Sequence, residues 1–401
     1  MESQKILKKD IFEVGARDKD RKLFDEVIPL PDGTSYNSYL IVGSEKIALI
    51  DTVDPTKKSV IFSNLDAVLN SLSRKDLNID YIIANHAEQD HSGSIPFLLE
   101  KFPNAKVVTN AKCKEFLMSL LHIADDKFII VNDYDGISLG NKTLKFIITP
   151  WVHWPETMCT YLVEDKILFS CDFFGSHYSD FNLFYDDGID KNKIEIAAKR
   201  YYAEIMMSFR TMIKNNILKL EPLSIEIIAP SHGPVYGKPS FIIDLYKDWI
   251  SDKVNKNIVI GYVSMHDSTK VMADYIEKKL IERKMSVIKV NLVGADIGDI
   301  AIAMVDTGTI IFGGPCFHVG MHPVMQNILF LFNALKPKTK IVSFFGSFGW
   351  GTRMPDIFKL SVSNVKAEMI EPIVVKGFPT INDFAILDNY VEEIVKKINL
   401  L

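Results

Sequence analysis

Residues 85–94 read NHAEQDHSGS, which sets two imidazoles and two carboxylates, His86, Glu88, Asp90 and His91, within six positions. So many lone pairs at one turn of backbone suit a cation. Three further groups share the same local setting, just after an apolar run: His153 in TPWVHWPETM, Asp172 in LFSCDFFGSH and His232 in PSHG. Taken singly, a loop histidine or aspartate is more simply a helix cap or a surface group. His86, Glu88, Asp90, His153, Asp172 and His232 together are hard to accommodate as solvated side chains. A buried carboxylate without a partner costs several kcal/mol, and a bound cation is the most direct way to satisfy it. Three imidazoles and three carboxylates without a thiolate suit iron or manganese at least as well as zinc, and a carboxylate between two metals can bridge them. The count favours two metals.

These groups need a frame. The runs KIALIDT (46–52), YIIANH (81–86), AKVVTN (105–110), LKFIITP (144–150), KILFSCD (166–172) and IEIIAP (225–230) are short, apolar and β-branched, which predicts buried strands. Between them AKCKEFLMSLL (111–121) reads as a helix, IPFLLEKF (95–102) as another with Pro96 in its first turn, and MCTYLVEDKILFS (158–170) as a hairpin. The mixture indicates a layered α/β domain, whose strand ends converge on one rim where sites are built. At SDKVNK (251–256) the chain turns polar, and a new strand–helix alternation follows, with TIIFGG, KIVSFF and EPIVVKG as later strands. That rhythm predicts a doubly wound parallel sheet. The expected domains are 1–252 and 256–401.

The second domain opens on VSMHDSTK (263–270), a loop between the strand expected at 258–263 and a helix carrying Val271, Ile276 and Leu280. Backbone amides and hydroxyls at such a helix start can cradle an anion, although most serine- and threonine-rich turns simply cap helices. GGPCFHVGMHP (313–323) and FGSFGWGT (345–352) also follow apolar strands.

Composition narrows the field. With 401 residues, 47% hydrophobic and 24% charged, and a net charge of −5, the chain has the make-up of a soluble two-core protein without a basic field for nucleic acid. The opening MESQKILKKDIFEV has no signal-type apolar core, and no run approaches the roughly 18–20 residues of a membrane span, so the expectation is cytoplasmic with no membrane partner. Cys113, Cys159, Cys171 and Cys316 are scattered without a C-x-x-C pair, so any metal must use nitrogen and oxygen.

The pattern H-x-E-x-D-H resembles the H-x-H-x-D-H of metallo-β-lactamase-type domains with Glu88 in place of the middle histidine, and the whole chain resembles a flavodiiron protein. HAEQDHSGSIP, HWPETM, LFSCDFFGSH and PSHG match that family's segments. The resemblance implies a metallo-β-lactamase-like αββα sandwich followed by a flavodoxin-like doubly wound sheet. It implies two irons, one held by His86, Glu88 and His153, the other by Asp90 and His232, with Asp172 between them. His91, a ligand in the zinc relatives and usually displaced in this family, would either join the ligands or act through a hydrogen bond beside the metals. In AAKRYYAEIMM, Tyr201 or Tyr202 would offer a hydroxyl to a reduced oxygen or nitrogen species, against the plainer role of packing a helix face.

VSMHDSTK resembles the FMN phosphate loop of flavodoxins, which implicates Ser264, Met265, His266, Asp267, Ser268 and Thr269. The other two loops would grip the isoalloxazine ring through Gly314, Pro315, Cys316, Phe317, His318, Val319 and Gly320, and through Ser347, Phe348, Gly349, Trp350 and Gly351. Two departures stand out. Asp267 occupies a place where the family usually has glycine, and 316–319 lacks the family's common threonine and asparagine, so FMN affinity and ring contacts are expected to differ from the usual pattern.

The activity implied is reduction of dioxygen to water, of nitric oxide to nitrous oxide, or both, detoxifying these gases in an anaerobe or microaerophile. Each ferrous ion gives one electron and reduced FMN two, enough together for dioxygen, while coupling two nitric oxides takes two. No rubredoxin-like cysteine pairs follow Leu401, which implies an external donor, a rubredoxin or a reduced deazaflavin. The family's head-to-tail homodimer, or a dimer of dimers, would bring one subunit's flavin beside the other's irons. The rivals are a zinc hydrolase fused to a flavin-free flavodoxin-like domain, against which Glu88 argues, and an FMN electron carrier or sensor with a merely structural metal.

Overall fold

In each central strand of the N-terminal half, successive residues are buried on opposite faces. Leu40, Leu49, Ile82 and Val107 pack under the helices with Ile61, Leu65, Leu98 and Leu117, whereas Ile41, Ile50, Ile83 and Val108 face a second sheet. Side chains alternate along a strand, so an apolar run without polar interruption is what a sheet covered on both sides requires. The structure is a computed structural model that describes residues 5–72, 78–180 and 182–401. Residues 1–4 of the N-terminal stretch read above lie outside the described residues.

The first sheet runs in chain order: Lys5–Lys8, Ile11–Glu13, Tyr39–Val42, Ile47–Ile50, Tyr81–Ile83, Lys106–Thr109 and Phe128–Ile130. Its last four strands are mutually parallel, with Ile50 beside Ile83 and Ile83 beside Val108. The second sheet also runs in chain order, Gly136–Ser138, Thr143–Ile148, Met158–Leu162, Ile167–Cys171 and Ile227–Pro230. The expected hairpin is there, with Leu162 paired to Ile167, and Ile227–Pro230 lies parallel to Ile167–Cys171. Phe146, Met158, Leu162, Phe169 and Ala229 from this sheet complete the core between the two. With helices such as Lys58–Ser71 and Ala111–Leu121 outside the first sheet and Arg210–Leu220 and Ser240–Trp249 elsewhere in the same unit, this is the αββα sandwich expected from the sequence.

The C-terminal half contains a parallel sheet in the spatial order Val287–Asn291, Asn255–Tyr262, Thr307–Phe317, Ile341–Phe348, Ile373–Lys376. That is the 2-1-3-4-5 order of flavodoxin-like folds. Helices Ser268–Glu282 and Ile381–Asn399 bury Met272, Ile276, Leu280, Leu387, Val391 and Ile394 on one face, while Phe332 and Phe358 cover Phe312 and Phe344 on the other. Val271, expected on the helix's inner face, is half-buried; Met272 and Ala273 take that face instead.

The chain divides into two compact units, Met1–Tyr202 with Phe209–Ile250, and Ala203–Ser208 with Ser251–Leu401. The polar stretch 251–256 marks the main division, but Ala203–Ser208 groups with the second unit although nothing in its composition sets it apart from its neighbours. It lies in the π turn Tyr202–Met206 and the short 3₁₀ turn that follows.

Candidate functional site

Parallel strands send their C-terminal ends to one edge, and each sheet of the first unit contributes. From the first sheet, Tyr81–Ile83 leads through Asn85 to His86, and the chain then winds into the short helix Gln89–Ser92 that carries Asp90 and His91. From the second, Ile167–Cys171 ends at Cys171 in the left-handed region (φ 51°) and presents Asp172, and Ile227–Pro230 is followed by His232. Gly233 turns the chain at φ 81°, where a Cβ would meet the Ser176 hydroxyl at 2.1 Å, so only glycine fits behind His232. His153 sits on the loop after Thr143–Ile148, pinned by Thr157, whose hydroxyl donates to the Thr149 carbonyl at 2.6 Å. Asp51 fastens the two edges together: it accepts from the Asn85 backbone and side-chain amides at 2.8 Å each, and the Ser231 hydroxyl lies at 3.4 Å.

The metal-type side chains form two groups that share one residue. His86 Nε2 and His153 Nε2 lie 3.1 and 3.0 Å from Glu88 Oε2, and 3.4 and 3.2 Å from Asp172 Oδ2. His232 Nε2 lies 3.1 Å from Asp90 Oδ2 and 3.4 Å from Asp172 Oδ1. One carboxylate thus turns a different oxygen to each group, the geometry of a bridge between two cations. His91 belongs to the second group, with Nε2 at 2.9 Å from Asp172 Oδ1 and 3.3 Å from Asp90 Oδ1. It points into the centre as a ligand would.

Apart from the His86 Nε2–Glu88 Oε2 hydrogen bond at 3.1 Å, several of these atoms crowd one another without pairing. Both oxygens of Asp90 and of Asp172, and both ring nitrogens of His91, are buried with no hydrogen-bond partner, although other polar atoms stand within 2.9–3.4 Å. Lone pairs aimed past their neighbours into common space fit cations, and an orphaned buried carboxylate is otherwise too costly to retain. The electrostatics agree. Burial opposes a charged imidazolium at His86, at His91 and at His153, yet the surrounding carboxylates outweigh it: His86 and His91 stand well above the ordinary histidine range and His153 is raised to about 9. Burial likewise favours a neutral Glu88 and Asp172, and the facing imidazoles overcome it, holding both below the usual carboxylate range. The centre draws positive charge, and a pair of divalent ions would supply it in place of protons.

Two imidazoles are also fixed from behind. His232 Nδ1 donates to the Ser35 carbonyl at 2.6 Å, and His86 Nδ1 lies 2.6 Å from Glu156 Oε1, with Trp154 edge-on to its ring at 5.0 Å. Such contacts set the tautomer that turns Nε2 inward. Glu156, within the quoted HWPETM, is a site residue that sequence reasoning missed, since an acidic residue after proline reads as a turn. His177 was missed too. It is buried, with Nδ1 3.0 Å from the Thr34 hydroxyl, and burial together with His232 pushes its pKa well below the ordinary value, so it is a neutral ring.

Tyr201 and Tyr202 part company at the π turn that begins at Tyr202. Tyr201 is 1% exposed, its ring 4.9 Å from His177 and 5.9 Å from His232, and burial with the nearby Asp172 carboxylate raises its phenol well above the usual value. Tyr202 packs on Tyr246 and Trp249. Phe24, 4.9 Å from His177 and 6.1 Å from His232, and Tyr36, 5.8 Å from His232, add aromatic surface.

In the second unit the three loops named from sequence meet at the C-terminal edge of the parallel sheet. Ser264 Oγ accepts from Lys270 N at 3.3 Å, and the Ser268 and Thr269 hydroxyls lie 2.7 and 3.3 Å from Ser347 Oγ. Asp267 stands at φ 61° as N-cap of Ser268–Glu282 and makes no side-chain cap, so it occupies the backbone conformation for which glycine is the easier choice. Pro315 pairs with Ser347 in register, and Cys316 Sγ reaches the Gly351 carbonyl at 3.3 Å. His318 and Val319 take positive φ in the turn between Phe317 and Gly320, and the Val319 carbonyl accepts from Arg353 N at 2.8 Å. Gly349 and Gly351 border open space, and Met265, Phe317, Val319 and Trp350 expose apolar surface. An amide-lined helix start beside an open, partly apolar edge fits a phosphorylated planar ligand.

Comparisons with known proteins match this pairing of a β-lactamase-like fold with a flavodoxin-like fold along the whole chain. Residues 34–233 match the model of the ODP family beta lactamase. The chain is 32% identical over 90% of its length to a nitric oxide reductase of Moorella thermoacetica, covering 90% of that protein. Its structure resembles that of rubredoxin oxygen:oxidoreductase from Desulfovibrio gigas (TM-score 0.93, 27% identity, 99% of each chain) and that of the flavodiiron protein from Giardia intestinalis (TM-score 0.90, 26% identity, 100% of this chain and 98% of the other). The chain belongs to the flavodiiron protein family. It is an oxidoreductase whose cofactors are FMN and a diiron centre.

Proposed function

We propose that the chain reduces nitric oxide to nitrous oxide, dioxygen to water, or both, with electrons from an external donor passing through FMN to the two irons. The observation that carries this reading is Asp172, whose two oxygens face separate ligand groups with Glu88 where zinc relatives have histidine; Cys171 lies beside His91 and Asp172, but burial holds its thiol protonated, well above the ordinary range. His86, Glu88 and His153 would hold one iron, Asp90 and His232 the other, with His91 positioned to join the second. When bound, the ferrous pair and reduced FMN supply up to four electrons to a small neutral gas. Tyr201 keeps its proton because burial and Asp172 both disfavour the phenolate, so it can donate a hydrogen bond to charge developing on oxygen or nitrogen. The aromatic rings of Phe24, Tyr36 and Tyr201 pack beside the centre against His177 and His232. In the second unit, residues 264–269 would cradle the FMN phosphate, and 314–320 and 347–351 would flank its ring.

A cytoplasmic location, detoxification in an anaerobe or microaerophile, a rubredoxin or reduced deazaflavin as donor, and a head-to-tail homodimer or dimer of dimers complete the proposal. Among the described residues no helix is long and apolar enough to cross a membrane. The test is anaerobic reduction of the purified protein with a matched donor, followed by electrode or stopped-flow measurement with each gas, alongside elemental analysis. Catalytic consumption of at least one gas by protein containing two irons per chain is expected; a lone zinc, or no turnover with either gas, overturns the reading.

A further inference from the structure

The two halves of the metal centre have similar first neighbours but different supports. Behind the first half stands Glu156. Its Oε1 lies 2.6 Å from His86 Nδ1 and accepts from the Ala87 amide at 3.1 Å, its backbone carbonyl accepts from Asn110 Nδ2 at 2.6 Å, and the side chains of Glu156 and His86 are both fully buried. Its other carboxylate oxygen, Oε2, is buried with no partner. Behind the second half, His232 Nδ1 meets only neutral acceptors, the Ser35 carbonyl at 2.6 Å and the Thr34 hydroxyl at 3.4 Å. Asp51 is another buried carboxylate close by, but its short contacts are to Asn85 amides rather than to a ligand imidazole.

A carboxylate accepts only, so Nδ1 of His86 must carry the shared proton when Glu156 is ionised, which leaves Nε2 free to face the metal. Pulling on that proton makes the imidazole a stronger electron donor. In a dry site the added negative charge also stabilises the more positive oxidation state of the ion it faces. The pull on the ring proton has no counterpart at His232, whose Nδ1 meets only neutral acceptors. We propose that Glu156 is a positioning residue that makes the two irons inequivalent, so that the ion held by His86, Glu88 and His153 has the lower reduction potential and is the first of the pair to be oxidised. This rests on the diiron reading above.

The test uses the full chain with its flavin and metals, as wild type and as Glu156→Gln, which keeps the size and an acceptor oxygen but removes the charge. Elemental analysis comes first: two irons per wild-type chain are required, and their absence overturns both this inference and the diiron reading. With iron in place, Glu156→Gln is expected to keep both irons, to change one of two ferrous Mössbauer doublets, and to raise the one-electron midpoint potential of the ferric–ferrous state by about 59 mV or more, a tenfold change in equilibrium constant. An unchanged potential, or doublets that move together, overturns the inference while leaving the diiron reading intact. Should Glu156→Gln lose iron, Glu156→Asp decides: recovery of both irons by the shorter carboxylate supports a role for the charge, and failure to recover them shows that Glu156 only packs.

Discussion

Asp172 is the side chain on which the centre turns, because no other group among the described residues faces both ligand sets. Asp172→Ala is expected to lose most of the bound iron and to lower gas reduction by at least roughly a hundredfold, with FMN retained since the loops proposed to hold it are untouched. Iron content, flavin absorbance and turnover on one preparation check this, and full activity in the variant would remove the bridge from the account. Tyr201 poses a sharper question, since a buried phenol can be a proton donor or only a packed ring. Tyr201→Phe deletes the hydroxyl and keeps the ring, so a drop of the order of 10²-fold in kcat, with iron and FMN unchanged, is expected of a donor. A ring that only packs would leave kcat where it was.

Strands and helix starts decide where such groups end up. The parallel pairs Ile47–Ile50 with Tyr81–Ile83, and Ile167–Cys171 with Ile227–Pro230, bring distant segments to one edge, and Asp51 and Asn85 tie those edges together. In the proposed FMN site the helix Ser268–Glu282 would offer its amides to the phosphate, and the Asp267 carboxylate at its N-cap would set a negative charge against a phosphate dianion. Asp267→Gly removes that charge and the left-handed strain together. FMN is expected to bind about fivefold more tightly, equivalent to ~1 kcal/mol, with less dependence on ionic strength, as fluorescence titration of the flavin-free protein would show. Unchanged affinity would place the phosphate elsewhere.

For the molecule as a whole, metals held at the proposed centre would serve the first unit's stability as well as its chemistry. Without them Asp90 and Asp172 are buried beside imidazoles that gather protons, and a ligand that binds only the folded chain adds stability in proportion to the logarithm of its concentration. Chelation is expected to lower the unfolding temperature of the first unit by several degrees and to leave the second near its original value, which calorimetry with and without iron measures. The pH effect has a definite sign. His153 holds its proton up to about 9 when no metal is present, so metal must displace protons from the centre, and iron retention weakens as pH falls. Iron released on raising the pH from neutral, rather than on lowering it, would contradict this origin.

The fold classes, the main division near 251–256 and the six metal-type side chains were legible along the chain, because buried strands need unbroken apolar runs and metals need particular donor atoms at strand ends. Glu88 in the pattern H-x-E-x-D-H also carried the distinction from zinc relatives, a matter of residue identity alone. What the linear pattern could not express was who faces whom. Glu156 stands 70 positions from His86, Tyr201 and Tyr202 are neighbours with different surroundings, and His91 enters the second ligand group only once the chain has turned into Gln89–Ser92. Periodicity and spacing report on local backbone and burial, whereas the sharing of Asp172 between two groups is set by where two sheet edges meet, and that is settled only by the packing of the core between them.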